Sequence, residues 1–234
     1  MIEDTDGMQV HFIEPGNPDD IRCEELPLYV TYAIQRVILV RHGESVANAG
    51  AATTDPALIP MTPRGEQQAR LTAGRVDSPD LILSSPFERA IATAAPLREL
   101  NPHVRYDVWP IEEFTYLSPA RCAGTTAQDR KAWVEEYWLR ADPHYVDGTG
   151  AESFAAFLIR VIDFSKRLEE LPFGTTTVVF GHGQFFNAAR WLREYEVGQR
   201  DVDQVLASIT NPMQSFRAFD LKNPIDNCGI FRLL

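Results

Sequence analysis

The sequence contains little cysteine, and the few residues present exclude two common kinds of site. Its 234 residues include only three cysteines, Cys23, Cys122 and Cys228, which are far apart and form no CxxC pair. An odd and dispersed set offers neither a disulfide framework nor the ligand spacing of a zinc site. The sequence also lacks the HExxH motif of many zinc enzymes. We therefore predict reduced thiols, no metal site and no cofactor.

Long apolar runs and an excess of positive charge are also missing. No uninterrupted apolar run approaches membrane-spanning length, and the N-terminal MIEDTDGMQV lacks the basic and apolar regions of a signal peptide. The formal net charge of −11 argues against nucleic acid or an anionic membrane as a partner, because both attract a basic surface. We therefore predict a cytoplasmic protein with a small-molecule partner. The sequence leaves the oligomeric state open and allows a homodimer.

Short apolar runs that end in turn signals alternate with amphipathic segments along most of the chain. This alternation is typical of a mostly parallel sheet covered by helices on both faces. We predict an α/β fold, a three-layer α/β/α sandwich with a mostly parallel central sheet and a helical cap insertion. Strands are predicted at 36–40, at 80–85, within 104–114 and at 175–180, and helices at about 61–73, 86–100, 151–172 and 185–195.

The two ends of the chain depart from this alternation. Residues 1–35 are acidic and punctuated by proline, so we predict an N-terminal extension ahead of a single domain at 36–234. Within the extension, 10–13 and 28–34 could form short strands, or the whole segment could be a partly ordered arm. Residues 207–234 are interpreted as a loop followed by closing strands.

Residues 115–150 interrupt the alternation and are predicted to form the helical cap over the active edge of the sheet. An amphipathic stretch in this segment is rich in large aromatic side chains. We expect these aromatics to pack the cap and not to stack on a ligand. The aromatics in question are Trp133, Tyr137 and Trp138.

Three predicted strands end in residues suited to binding an anion. The strand ends carry Arg41, His42 and Gly43, then Arg89 in the first turn of the next helix, then His182 and Gly183. Because the carboxyl ends of parallel strands lie at one edge of a sheet, these side chains can converge. Two arginines, together with backbone amides freed by the glycines near helix N-termini, would suit a dianion such as phosphate.

The same residues resemble the histidine phosphatase superfamily, also called phosphoglycerate mutase-like. RHGE at 41–44 is similar to the family signature, and Asn48 matches the asparagine of RHGExxxN. The resemblance covers about residues 36–234. Its further motifs are MTPRGEQQA, SSPFERAIATA with Arg89, GAESF followed by Arg160, FGHG with His182, and NCGI near the end.

The resemblance implies a role for each of these side chains. His42 would be phosphorylated during turnover, since a neutral imidazole nitrogen can attack phosphorus and divide one displacement into two. The non-bridging phosphate oxygens would be held by a set of donors, some of which also stabilise the transition state. That set is Arg41, Asn48, Arg89, His182 and the backbone of Gly183.

An acid is also needed, because the leaving alcohol must gain a proton and the attacking water must lose one. The family places this carboxylate after the third strand, and the sequence WPIEEF offers Glu112 and Glu113. Alternation along a strand would allow only one of the two to face the site. Alignment with the family pattern favours Glu113, and Glu112 remains the alternative.

These expectations lead to a predicted activity with two alternatives. We predict a metal-independent histidine acid-type phosphatase of the phosphatase branch, which hydrolyses a small phosphorylated metabolite through a phosphohistidine. A phosphoglycerate mutase is the first alternative, and a non-catalytic phosphate-binding or interaction module is the second. We expect Arg160 and Arg121 to be ordinary salt-bridge partners, and neither Tyr116 nor Arg121 to line a substrate pocket.

Overall fold

The computed structural model describes residues 36–76, 78–195 and 201–233. The predicted acidic extension, with its candidate strands at 10–13 and 28–34, lies outside the described residues. Within the described part of the chain, no helix is both long and apolar enough to cross a membrane.

The fold is built on a five-stranded, mostly parallel sheet. The strands are β1 (Arg36–Arg41), β2 (Leu81–Ser84), β3 (Arg105–Val108), β4 (Thr176–Gly181) and β5 (Ile230–Arg232). Their order is β3-β2-β4-β1-β5. The first four strands run parallel, and β5 pairs antiparallel with β1. The predicted α/β sandwich with a mostly parallel sheet is therefore confirmed.

Eight α-helices accompany the sheet in the described residues. They are α1 (Pro63–Ala73), α2 (Glu88–Leu100), α3 (Pro119–Cys122), α4 (Lys131–Arg140), α5 (Phe154–Glu169), α6 (Gly183–Arg193), α7 (Val202–Ser208) and α8 (Pro212–Lys222), with a short 3-10 helix at Pro56–Leu58. α1 begins as predicted, since Thr62 accepts a hydrogen bond from the Gly65 amide at 3.1 Å and Pro63 follows. Such a cap contributes about 1 kcal/mol to helix stability.

Alternating side chains of the strands form two apolar cores on opposite faces of the sheet. Val37 and Leu39 of β1 belong to the larger core, which also contains buried residues of α5, α6, α7 and α8. Val40 of β1 belongs to the smaller core, with Ala73 of α1 and Leu97 of α2. Because both faces are covered, the strands are apolar on both sides, as the sequence indicates.

The segment at 207–234 differs from its prediction. It was expected to hold a loop and closing strands, but α8 occupies Pro212–Lys222 and only β5 is a strand. Met213 and Phe216, three residues apart, are both buried in the larger core. This spacing matches one face of a helix, and the burial of that face stabilises α8. Polar residues interrupt the apolar spacing in the sequence, so the helix was not predicted.

The predicted cap segment, residues 115–150, contains α3 and α4. Tyr137 and Trp138 of α4 are buried in the larger core, where each ring lies against Phe114 with centroids 6.1 Å and 6.2 Å apart. Trp133 is half-buried and lies under the guanidinium of Arg121, 4.4 Å from its ring centre. The prediction that these aromatics serve packing is confirmed.

Candidate active site

The carboxyl ends of β1, β2 and β4 bring the sequence-predicted cations and histidines together. In the sheet register, Arg41 lies opposite Gly181, so His42 and His182 leave adjacent strands at the same level. Arg89 lies in the first turn of α2, which follows β2, and its guanidinium contacts both imidazole rings. Its Nε lies 3.2 Å from Nε2 of His42, and its Nη2 lies 3.2 Å from Nδ1 of His182.

His42 is buried and held as one neutral tautomer. Its Nδ1 lies 2.7 Å from the carbonyl oxygen of Gly43, and a carbonyl can only accept, so Nδ1 carries the proton. Nε2 therefore bears the lone pair, which accepts a hydrogen bond from Arg89. Burial, followed by the charges of Arg89 and Arg41, lowers the pKa of His42 to about 3. The imidazole is thus neutral at physiological pH.

His182 is completely buried between a cation and a hydroxyl. Nη2 of Arg89 can only donate, so Nδ1 of His182 accepts from it, and Nε2 then donates to Oγ of Ser85 at 2.8 Å. Burial, reinforced by Arg89 and by His42, holds the pKa of His182 well below its ordinary value. Ser85 was not predicted as a site residue, although it lies in the SSPFER motif.

Arg41 and Arg89 form the positive wall of the site. Arg89 donates to the Pro56 carbonyl at 2.7 Å, and burial lowers its pKa to about 10, so it remains protonated. Arg41 donates through Nη1 to the carbonyl of Ile225. Its Nε is buried and has no hydrogen-bond partner among the described residues. A buried charged donor without an acceptor is costly, so an oxyanion bound here would satisfy it.

Glu113 lies beside Arg89 and, unlike Glu112, lines a cavity that opens from these two residues. Its carboxylate accepts from the amides of Gln184 and Phe185 at the start of α6, at 3.3 Å and 3.2 Å. Burial raises the pKa of Glu113, and the charge of Arg89 opposes that rise. The carboxyl group can therefore hold a proton closer to neutrality than an exposed glutamate can.

Glu113, and not its neighbour Glu112, lines the cavity for a reason that differs from the predicted strand alternation. β3 ends at Val108, so Glu112 and Glu113 lie on an irregular loop and strand alternation does not apply. Glu112 instead pairs with Arg160 at 3.3 Å. The α6 N-terminus draws Glu113 inward because free amides and the helix dipole both favour a carboxylate.

A network around Arg160 holds the loop that carries Glu113. Arg160 forms two hydrogen bonds with the Glu152 carboxylate, at 3.0 Å and 2.6 Å, and donates to the carbonyl of Pro110 at 3.2 Å. Glu152 also exchanges bonds with the backbone of Thr115. The prediction of salt bridges for Arg160 is confirmed. The GAES segment, which carries Glu152, was not given a structural role from sequence.

The two glycines beside the histidines act differently from each other. The Gly43 amide was expected to be free for an anion, but it donates to Oγ1 of Thr93 at 2.9 Å, so this expectation is wrong. A side chain at Gly43 would place Cβ 2.6 Å from the Gly65 carbonyl oxygen, which only glycine avoids. Gly183 opens α6, and a Cβ there would lie 3.6 Å from Nε of Arg41.

Asn48 is joined to the His42 loop by a second asparagine. Its Oδ1 accepts from the amide and the hydroxyl of Ser45, at 3.1 Å and 3.0 Å, and from Nδ2 of Asn227 at 3.1 Å. Asn227 also donates to the carbonyl of His42 at 3.0 Å. Asn227 belongs to the NCGI motif, so this motif lies beside the site.

A cavity of about 250 Å³ opens from Arg89 and Glu113 toward residues 115–150; we refer to it as the cap cavity. Tyr116 lines it, so the expectation that Tyr116 would not is wrong. Arg121 is not among its lining residues and pairs with Asp147 at 2.9 Å, as expected. No group of three or more His, Cys, Asp or Glu side chains in the described ranges is arranged to hold a metal ion.

Comparison with known proteins identifies the family. The chain matches the family model of the histidine phosphatase superfamily (branch 1) over residues 37–211. Phosphoserine phosphatase 1 of Hydrogenobacter thermophilus is 30% identical over 162 residues, which cover 63% of this chain and 70% of that protein. The adenosylcobalamin/alpha-ribazole phosphatase of Escherichia coli is 32% identical over 160 residues, covering 63% and 73%. The chain belongs to the histidine phosphatase superfamily, as its motifs predict.

Solved structures share the fold. A putative alpha-ribazole-5'-P phosphatase from Escherichia coli superposes with a TM-score of 0.61 at 24% identity, covering 85% of this chain and 89% of that one. A mycobacterial glucosyl-3-phosphoglycerate phosphatase, in complex with VO3, gives a TM-score of 0.61 at 21% identity, covering 85% and 90%. At this identity the likeness supports the fold, and the site is argued from the residues of this chain.

Proposed function

We propose that this protein is a metal-independent phosphomonoester hydrolase that acts on small phosphorylated metabolites through a phosphohistidine at His42. One observation carries the proposal: the neutral His42 ring presents its Nε2 lone pair to the buried Arg89, beside the half-buried Arg41, whose buried Nε has no partner among the described residues. A nucleophile without charge, next to fixed positive charge, suits attack on a phosphate dianion.

The proposed reaction has two steps that balance. Nε2 of His42 exchanges its hydrogen bond with Arg89 for a bond to phosphorus, and the bond from phosphorus to the alcohol oxygen breaks. Glu113 gives its proton to the departing oxygen. Water then attacks phosphorus, Glu113 takes the proton, and the N–P bond breaks to release inorganic phosphate.

Fixed cations would stabilise the charge that gathers on the non-bridging oxygens during both steps. Arg41 and Arg89 provide that charge from the protein itself. After Arg89 turns to the phosphate, His182 would donate to the same oxygens from Nδ1, in the tautomer in which Nε2 accepts from the hydroxyl of Ser85. Asn48 and the Gly183 amide are proposed as further donors. We propose metal independence on this basis. Turnover that persists after dialysis against a chelator is the expected result, and loss of activity restored by a divalent ion would contradict it.

The direct test is substitution of the proposed nucleophile. His42→Ala should lower kcat for p-nitrophenyl phosphate on the order of 10⁴-fold or more, since groups that act as a unit in covalent catalysis show losses of this size. The exposed His144→Ala is the matched control and should be unaffected. Full activity of His42→Ala would refute the proposal.

A trapping experiment separates this proposal from its two alternatives. Quenching during turnover with an alkaline denaturant should capture a base-stable, acid-labile phosphoryl group on the native chain and none on His42→Ala. A phosphoglycerate mutase would interconvert 2- and 3-phosphoglycerate faster than it hydrolyses either. A non-catalytic binding module would bind inorganic phosphate but show neither labelling nor turnover.

The division into an extension at 1–35 and a catalytic domain at 36–234 is also proposed, as are the cytoplasmic location and a homodimer. Activity of a chain lacking 1–35, cell fractionation and light scattering would test these points. Loss of folding on removal of 1–35 would contradict the proposed division.

A further inference from the structure

We propose that the cap cavity selects phosphate monoesters of an apolar alcohol that carries no positive charge. This inference rests on the proposed phosphatase function and names its substrate class. The cavity begins at Arg89 and Glu113, so an alcohol released from a phosphate held by Arg89 would occupy it.

The wall of the cavity is mostly apolar beyond these two residues. Ile59 lies on the loop after the 3-10 helix, Phe87 precedes α2, Phe114 and Leu117 follow Glu113, and Val134 projects from α4. Contact with such a wall favours an apolar group, because both surfaces lose contact with water. The uncharged polar side chains of the wall are Thr53, Thr54, Thr115 and Tyr116, so a polyol would recover only part of the hydrogen bonds that it makes with water.

The size of the cavity limits the alcohol. Its volume is about 250 Å³, whereas a cavity of about 150 Å³ lined by aliphatic and aromatic side chains is enough to admit benzene. A phenyl ring on a short linker therefore fits, and a group as large as a nucleoside-containing cofactor would extend beyond the wall.

Charge along the wall excludes an ammonium group. Within the described residues, the charged side chains that line the cavity are Arg89, Glu113 and Arg130. Glu113 is the proposed acid and already accepts two α6 amides. An amino group on the substrate would therefore find no second carboxylate, and toward the cap it would meet the cation of Arg130. The carboxylate of O-phosphoserine would suit Arg130, but its ammonium group would be left without an anionic partner, so the cavity disfavours this substrate class, which is named for one relative.

The test compares three primary alkyl esters: 2-phenylethyl phosphate, glycerol 1-phosphate and O-phosphoserine. We expect kcat/KM for 2-phenylethyl phosphate to exceed that of each of the others by at least 10-fold, mainly through KM. Equal or higher values for either polar ester would overturn the inference.

Variants test whether the cavity is responsible. Ile59→Asn and, independently, Val134→Thr should each reduce the preference for 2-phenylethyl phosphate at least 5-fold while leaving inhibition by inorganic phosphate unchanged. Leu58→Asn is the matched control, since Leu58 is 65% exposed and is not among the lining residues. An undiminished preference in both cavity variants would show that another surface selects the substrate.

The failure of this inference differs from failure of the proposed function. If p-nitrophenyl phosphate is hydrolysed through His42 without preference among the alkyl esters, only the cavity inference is wrong. If no ester is hydrolysed and no phosphohistidine forms, both are overturned.

Discussion

The two histidines and the proposed acid are held in place by different means. His42 and His182 directly follow neighbouring strands, and the sheet register fixes their separation, with ring centres 5.3 Å apart. Glu113 lies on an irregular loop and is placed by the α6 amides and by the loop's ties to Arg160. The histidines that follow regular strands are positioned by backbone pairing, whereas the acid depends on contacts of side chains with residues far away along the chain.

After substitution of His42 itself, the largest effect is expected at Arg89, the centre of the cluster that it forms with His42 and His182 at the strand ends. Arg89→Met removes the cation that contacts both histidines and should lower kcat/KM for p-nitrophenyl phosphate on the order of 10³-fold. Because Arg89 lowers the pKa of His42 from its ordinary value, its loss should raise that pKa above about 3. NMR titration of the imidazole measures the second effect.

A matched control for this change lies on the same helix. Arg98 is exposed and its guanidinium lies over the ring of Tyr106, so Arg98→Met should leave both kcat/KM and the His42 titration unchanged. An Arg89→Met enzyme with less than a 10-fold loss would show that the cluster does not depend on this cation.

An intermediate effect is expected at the acid. Glu113→Gln should lower kcat for alkyl phosphates on the order of 10²-fold, within the usual contribution of a general acid, and far less for p-nitrophenyl phosphate, whose leaving group needs no proton. Glu112→Gln is the control, because Glu112 does not line the cavity. Equal losses on both substrate types would contradict the assignment.

The pH profile provides a second readout of the same variant. A carboxyl group donates only below its pKa, and burial raises that of Glu113. Turnover of alkyl phosphates should therefore fall as pH rises through this raised value, and the falling limb should be absent in Glu113→Gln. His42 stays neutral down to a pH of about 3, so its protonation should not limit activity near pH 6.

The smallest effect is expected at Arg160, whose network holds the loop that carries Glu113. Arg160→Met removes the hydrogen bonds to Glu152 and Pro110, and should lower the free energy of unfolding by about 1–3 kcal/mol. If Arg160 is a positioning residue for Glu113, kcat for alkyl phosphates should fall about 10-fold while p-nitrophenyl phosphate is little affected. A purely structural role would lower both rates equally.

The control for Arg160→Met is an exposed ion pair elsewhere in the protein. Arg70 pairs with Glu66 at 3.8 Å on the surface of α1, where such a pair contributes about 0–1 kcal/mol. Arg70→Met should therefore change neither stability nor the ratio of the two rates appreciably. A similar change of the ratio in both variants would remove the special role of Arg160.

The helix with Thr62 as its N-cap and Pro63 as its first residue was predictable from the sequence, because the capping hydrogen bond joins residues that are close along the chain. It did not predict α8, because the buried face of that helix is defined by contacts of Met213 and Phe216 with distant parts of the core. It also did not predict that Thr93 occupies the Gly43 amide. In each failure the deciding partner lies far away along the chain.

The sequence by itself determined the main strands and the histidines and arginines at their ends, because short apolar runs pair into sheets and parallel strands end at one edge. Only the tertiary structure decided that Glu113 faces the cavity, that Ser85 fixes the ring of His182, and that an apolar wall surrounds the proposed leaving group. These features arise where loops and helices separated in sequence meet. Their geometry depends on packing, which no local pattern encodes.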